Sequence, residues 1–121
     1  MELTAETIGS FTVFKLAGRI DWAGAGRLDN EIGRHIEAGS LRLAFNLDAV
    51  TCLSSGGIGA IAFNTNLVRS RGGAVHIISS NRYINDLFET LKLTLVFKGS
   101  WHPSPAEFEA FVLNTGSGSP L

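Results

Sequence analysis

Apolar residues in this chain switch repeatedly between the twofold spacing of a strand and the three-or-four spacing of a helix. That switching restricts the fold more than any single motif does. Leu3 to Ile8 and Phe11 to Ala17 are extended-looking runs separated by Gly9-Ser10. Such a break is a hairpin signal, because glycine supplies the positive φ that tight turns require. Phe11-Thr12-Val13-Phe14-Lys15-Leu16 is apolar on nearly both faces, as an internal strand should be. From Trp22 to Glu37 the period changes. Ala25, Leu28, Ile32 and Ile36 recur at spacings of three, four and four, with Arg27, Glu31 and Arg34 elsewhere. This is an amphipathic helix, with Asp21 placed to cap it and Gly39 just past its end.

The alternation continues. Leu41, Leu43, Phe45 and Leu47 read as a strand, and Asp48 to Ser55 as a loop. Ile58, Ile61, Ala62, Thr65 and Val68 fit a second helix that Gly72-Gly73 stops. Ala74 to Ile78 is a short buried strand, and Ser79-Ser80-Asn81 offers caps to a third helix carrying Ile84, Leu87, Phe88 and Leu91. Thr94 to Phe97 reads as a last short strand. Pro103 or Pro105 opens a final helix with Phe108, Phe111 and Val112, since proline is tolerated in a first turn. The order predicts an α/β fold: one single-layer, mixed, mostly parallel sheet, its N-terminal hairpin strand antiparallel, packed with about four helices. Residues 1–114 form one domain and residues 115–121, rich in Gly and Ser, a flexible tail.

Composition narrows the function classes. Ten Lys and Arg against eleven Asp and Glu leave a net charge of −1, so no basic field exists to collect nucleic acid. Cys52 is the single cysteine, which excludes an internal disulfide and a cysteine-based zinc site. The start of the chain lacks a signal pattern, and its apolar runs fall far short of the ~20 residues that span a bilayer. The expectation is a cytoplasmic protein without metal, cofactor or membrane insertion; the sequence leaves its oligomeric state open.

In an open α/β sheet the working loops lie at the carboxyl ends of the strands. Three share that edge: Gly18 to Asp21, Asp48 to Ser55, and Ser79 to Asn81. The middle one meets a helix start at Ser54-Ser55-Gly56-Gly57-Ile58. Glycine costs a helix about 1 kcal/mol relative to alanine, and one account of the pair is close approach by another surface. A phosphoryl group on Ser55, or on Ser54 as second candidate, would sit at the positive helix end without any added cation.

Val50 to Ile61 resembles the signature of the STAS domain, the anti-sigma factor antagonist family. Gly18-Arg19-Ile20-Asp21, Gly72-Gly73 with the following strand, and the order of elements to about Phe111 agree with it. The resemblance implies a non-enzymatic switch. A partner serine kinase, often itself the anti-sigma factor, phosphorylates the serine after the Asp, the unmodified form binds that partner, and a phosphatase resets the cycle. Ser55 takes the phosphoserine position, with Gly56, Gly57 and Ile58 following as in the family. Ser54 stands where the family usually has Asp, and Asn46 where a strand-end Asp is common. The partner-binding edge is then Asp21, Ser54 to Ile58, and Ser79, Ser80 and Asn81. The alternative is a STAS binding subunit of a transporter, lipid-transport or sensory complex, without phosphorylation.

Plainer readings stand beside these. Ser55 and Asp21 are each accounted for as helix caps. Gly24-Ala25-Gly26 lacks the Gly-Lys-Ser/Thr ending of a phosphate loop. A hydrolase triad of Ser55, His76 and Asp48 or Asp86 has no Gly-x-Ser-x-Gly elbow, and His76, mid-strand between Val75 and Ile77, reads as structural. Trp22 and Trp101 are either exposed anchors or aromatic core and rim residues.

Overall fold

The hairpin closes on Gly9, whose φ of 60° lets Ile8 pair with Phe11. In the computed structural model, which describes residues 1–115, strand β1 (Glu2–Ile8) lies antiparallel to β2 (Phe11–Ile20). Helix α1 (Trp22–Glu37), β3 (Arg42–Leu53), α2 (Ser55–Ser70), β4 (Ala74–Ile78), α3 (Arg82–Thr90), β5 (Trp101–His102) and α4 (Pro105–Thr115) follow. The sheet runs β1-β2-β3-β4-β5 in space, with every pair after the first parallel. Residues 116–121, most of the expected tail, lie outside the described residues.

The apolar stripe of α1 is buried as its period requires: Leu28 and Ile32 are fully enclosed, with Ala25 and Ile36 beside them. Leu28, Ile32 and Ile36 join Phe14, Leu16, Phe45, Leu47, Ile61 and Val68 in the main core, on the sheet face that α1 and α2 cover. Phe11, Val13, Ala44 and Ile78 form a smaller core with Phe108 and Val112 of α4. Buried Asn64 of α2 donates to Asp29 of α1 at 2.7 Å and to the Ala60 carbonyl at 2.8 Å, tying the two helices together.

Two expected elements are different. Asp48 to Leu53 is strand rather than loop, because β2 also runs on through Gly18-Arg19-Ile20 and the two extensions pair. Lys15 faces Asn46 but Ala17 faces Ala49, and Gly18 faces Val50 but Arg19 faces Cys52. β3 therefore carries an extra residue at each shift. Such bulges break the twofold spacing that a sequence pattern shows, and Gly18 takes a φ of 85° beside the second one. The expected strand Thr94–Phe97 is a run of turns. Lys92 adopts a φ of 60°, and the amides of Leu95, Val96 and Phe97 bond back to Lys92 and Leu93. The fifth strand is Trp101–His102, beyond it.

Candidate functional site

The carboxyl ends of β2, β3 and β4 converge on one edge, and capping side chains hold them there. Asp21 caps α1, accepting from the Gly24 amide at 2.9 Å. Gly24, Ala25 and Gly26 lie inside that helix, not in a phosphate-type loop. Ser54 caps α2, its hydroxyl accepting from the Gly57 amide at 3.1 Å, while its own amide donates to the Ile20 carbonyl at 2.9 Å. Asn81 caps α3 by accepting from Tyr83 and Ile84, and its side-chain amide donates to the carbonyls of Leu47, Asp48 and Val50. One asparagine thus closes both the start of α3 and the bulged part of β3.

These caps separate the two serines. The plain reading that Ser55 caps the second helix is corrected: Ser54 does so, and Ser55, the first residue of the helix, is exposed. The first four amides of a helix lack an intrahelical acceptor. Of these, the Ser54 amide donates to the Ile20 carbonyl and the Gly57 amide to the Ser54 hydroxyl, and the Ile58 amide makes the first intrahelical bond, to the Ser54 carbonyl. The amides of Ser55 and Gly56 remain at the positive end of α2, next to the exposed hydroxyl.

The account of the two glycines also changes. A Cβ on Gly57 would stand 2.7 Å from Leu53 Cδ1 and 2.9 Å from Ile20 Cγ2. The surface that comes close is therefore the chain's own, the ends of β2 and β3 tucked under the first turn of α2. Gly56 faces α1, and a Cβ there would meet Ala25 and the Trp22 ring at 3.4 Å. Trp22 is 84% exposed, and with Phe63, 64% exposed, it walls a cleft of about 460 Å³ between α1 and α2. Ala25, Gly26, Asp29, Gly56, Gly59 and Ala60 line it. The cleft pairs residues more than thirty positions apart, and its sequence trace is the small residues of the two helices. Trp101, by contrast, is half-buried with its ring against Phe88.

The third loop divides. Ser79 is 1% exposed and donates to Asn85 at 2.7 Å, so it belongs to the interior and not to a contact edge. Ser80 is exposed, its amide and hydroxyl both donating to Asp48. Tyr83, unnoticed in the sequence, accepts from the Leu53 amide through its hydroxyl at 2.9 Å and braces the end of β3. Asn46, where a strand-end Asp is common in the family, accepts from the Asp48 amide at 3.1 Å. Ile58 is half-buried against the main core.

The triad residues do not meet. Asp48 is engaged with Ser80, Asp86 pairs with Arg82, and His76 is buried and bonded to His102, Nδ1 to Nε2 at 2.8 Å. Among the described residues, no group of three or more His, Cys, Asp or Glu is placed to hold a metal ion, and no helix is long and apolar enough to cross a membrane.

Comparison with known proteins agrees with this architecture. The family profile described as "STAS domain" matches residues 2–107. A crystal structure of an anti-sigma factor antagonist from Mycobacterium paratuberculosis superposes with a TM-score of 0.80 at 18% identity, covering 93% of each chain. The phosphorylated form of SpoIIAA, a Bacillus cell fate determinant, superposes at 0.72 and 17% identity over 93% of this chain and 99% of that one. A sulfate transporter family protein from Wolinella succinogenes gives 0.75 at 11% identity, over 87% and 86%. Curated proteins yield no match to the sequence.

Proposed function

Because the chain belongs to the STAS domain family, we propose that it is an anti-sigma factor antagonist whose docking to a serine kinase of the anti-sigma type is switched by phosphorylation of Ser55. The observation that carries this reading is the division of labour at the start of α2. Ser54 provides the cap, so the Ser55 hydroxyl is exposed and uncommitted. In the proposed step this oxygen bonds to the γ-phosphorus of ATP, the bond to the bridging oxygen breaks, ADP leaves, and the serine proton is lost. The partner kinase supplies the nucleotide and the catalytic groups.

The product adds about −1.5 to −2 charges at pH 7 to a chain whose net charge is −1. The positive end of α2 offsets part of that locally, so the modification is tolerated in the free protein. A partner shaped to the bare hydroxyl instead meets a bulky dianion. The docking edge comprises Asp21, Ser54 to Gly56, Ile58, Ser80 and Asn81, with Gly57 buried beneath it and Trp22 as an aromatic anchor beside Gly56. A phosphatase restores the binding form, and the site of action is the cytoplasm.

Incubation with the cognate kinase and ATP is expected to add about 80 Da, one phosphoryl group, on the peptide containing Ser55, and to add nothing to Ser55→Ala. A second reading follows from Ser54 standing where the family usually has Asp: a binding subunit of a transporter, lipid-transport or sensory complex that is never phosphorylated. No mass change with the cognate kinase, together with unchanged partner affinity in Ser55→Asp, would select it.

A further inference from the structure

On the sheet face opposite the main helices, His76 of β4 and His102 of β5 stack with ring centroids 5.1 Å apart and share one hydrogen bond, 2.8 Å from Nδ1 to Nε2. Each is under a tenth exposed. Phe11, Phe108 and Phe111 surround them, with ring contacts of 4.9 to 6.0 Å to one or both imidazoles. We propose that this pair is an acid-sensitive latch holding β5 and α4 onto the sheet.

The geometry makes the bond depend on at least one neutral ring, because two charged imidazoles are both donors only. One imidazole must donate and the other accept, so a proton on the accepting nitrogen breaks the bond, whereas one on the outer nitrogen of the donor ring leaves it in place. A charged imidazolium would also stand in a mostly aromatic enclosure. The surrounding charges act in the same direction with one exception. Burial, the proximity of His102, and then Arg42 and Arg69 together push the His76 pKa down to about 4. Burial lowers that of His102, and Glu107 on α4 partly opposes it. Arg42 reaches this group from β3, its guanidinium over the Phe11 ring, and Arg69 from α2, where it is held over Phe97.

The element held is a small one at the end of the described chain. β5 has two residues, fixed by the Ile77 amide on the Ser100 carbonyl and the Ser79 amide on the His102 carbonyl. Phe108 and Val112 anchor α4 in the smaller core. Such a peripheral unit opens without unfolding the rest. Opening returns both imidazoles to water, where the ordinary pKa is 6.5. A depressed pKa in the closed form means that the open form binds more protons. Closure is therefore fully favoured above pH 6.5 and weakens as pH falls from 6.5 towards 4. From pH 7.5 to 5.0, His76 alone shifts the opening equilibrium about ten- to thirtyfold.

Residue-resolved amide hydrogen exchange at pH 7.5 and 5.0, corrected for intrinsic rates, tests this. Protection at Ile77, Ser79 and Phe108 is expected to fall about ten- to thirtyfold while that of Leu28 and Ile32 in α1 holds. Equal loss everywhere, or none at Phe108, would overturn the latch. His76→Phe is expected to keep the ring packing and remove the His76 share of the response, leaving that of His102. Should that variant not fold, the imidazole C2 protons of the wild type decide. The latch requires His76 to titrate together with the loss of α4 protection, and titration near pH 6.5 with α4 still protected refutes it.

Discussion

Gly57 and Gly59 stand two positions apart on α2 and should respond to alanine with opposite signs. At Gly57 the new methyl group lands 2.7 Å from Leu53 Cδ1 and 2.9 Å from Ile20 Cγ2. Leu53 is 5% exposed and Ile20 fully enclosed, so neither has open space to move into, and Ile20 branches at Cβ and turns stiffly. Overpacking of this kind costs about 1–3 kcal/mol, and alanine recovers at most about 1 kcal/mol through helix propensity. The net effect is destabilisation by about 1 kcal/mol, which lowers Tm by about 4 °C in a domain of this length. At Gly59 nothing lies within 4 Å of the added carbon. Gly59→Ala keeps the propensity gain and stabilises by about 0.5–1 kcal/mol. Urea unfolding followed by far-ultraviolet circular dichroism reads both, through the midpoint at constant m. Equal stabilisation by the two variants would refute the tucked packing of α2 over Ile20 and Leu53. Gly59 also lines the cleft beside Trp22, so the more stable variant should bind the partner less well if the partner enters the cleft.

Three further outcomes are expected. Ser54→Ala removes the cap of α2 and should cost about 1 kcal/mol in urea unfolding, whereas Ser55→Ala should stay within about 0.5 kcal/mol of wild type, as an exposed substitution does; the reverse order would assign the cap to Ser55. Asn81→Ala strips the α3 cap and leaves the carbonyls of Leu47, Asp48 and Val50 short of a donor, so a loss of about 2 kcal/mol is expected in the same assay, and a loss below about 0.5 kcal/mol would show that water replaces it. Trp22→Ala, at a residue 84% exposed, should leave Tm unchanged while weakening partner binding about tenfold or more by calorimetry, the scale of an aromatic anchor; unchanged affinity would remove Trp22 from the docking edge.

Where local chemistry decides, the sequence was legible. Helix α1 spans the expected Trp22–Glu37 because Asp21, the apolar spacing and Gly39 all speak locally, and β4 spans the expected Ala74–Ile78 between its glycine and serine boundaries. Where a distant partner decides, it was not. The second half of β3 is strand only because β2 lies beside it, and its extra residues break the spacing that would have revealed it. Thr94–Phe97 and Trp101–His102 are both short runs that a strand could use, and only the second reaches β4. At the candidate site, Asp21 and Asn81 were readable as caps because capping is a matter of neighbouring residues. The split between Ser54 and Ser55 turns on which hydroxyl faces the Gly57 amide. Ser79 is buried by a contact with Asn85, and His76 meets His102 across twenty-six positions.

Binding of one partner by two forms of one protein bears most directly on the central claim. Titration calorimetry of the cognate serine kinase against unmodified and Ser55-phosphorylated protein isolates the effect of charge at the tip of α2. We predict that Kd rises about a hundredfold or more on phosphorylation, the 2–3 kcal/mol scale of a dianion placed in a fitted contact. Equal affinity of the two forms would contradict the switch.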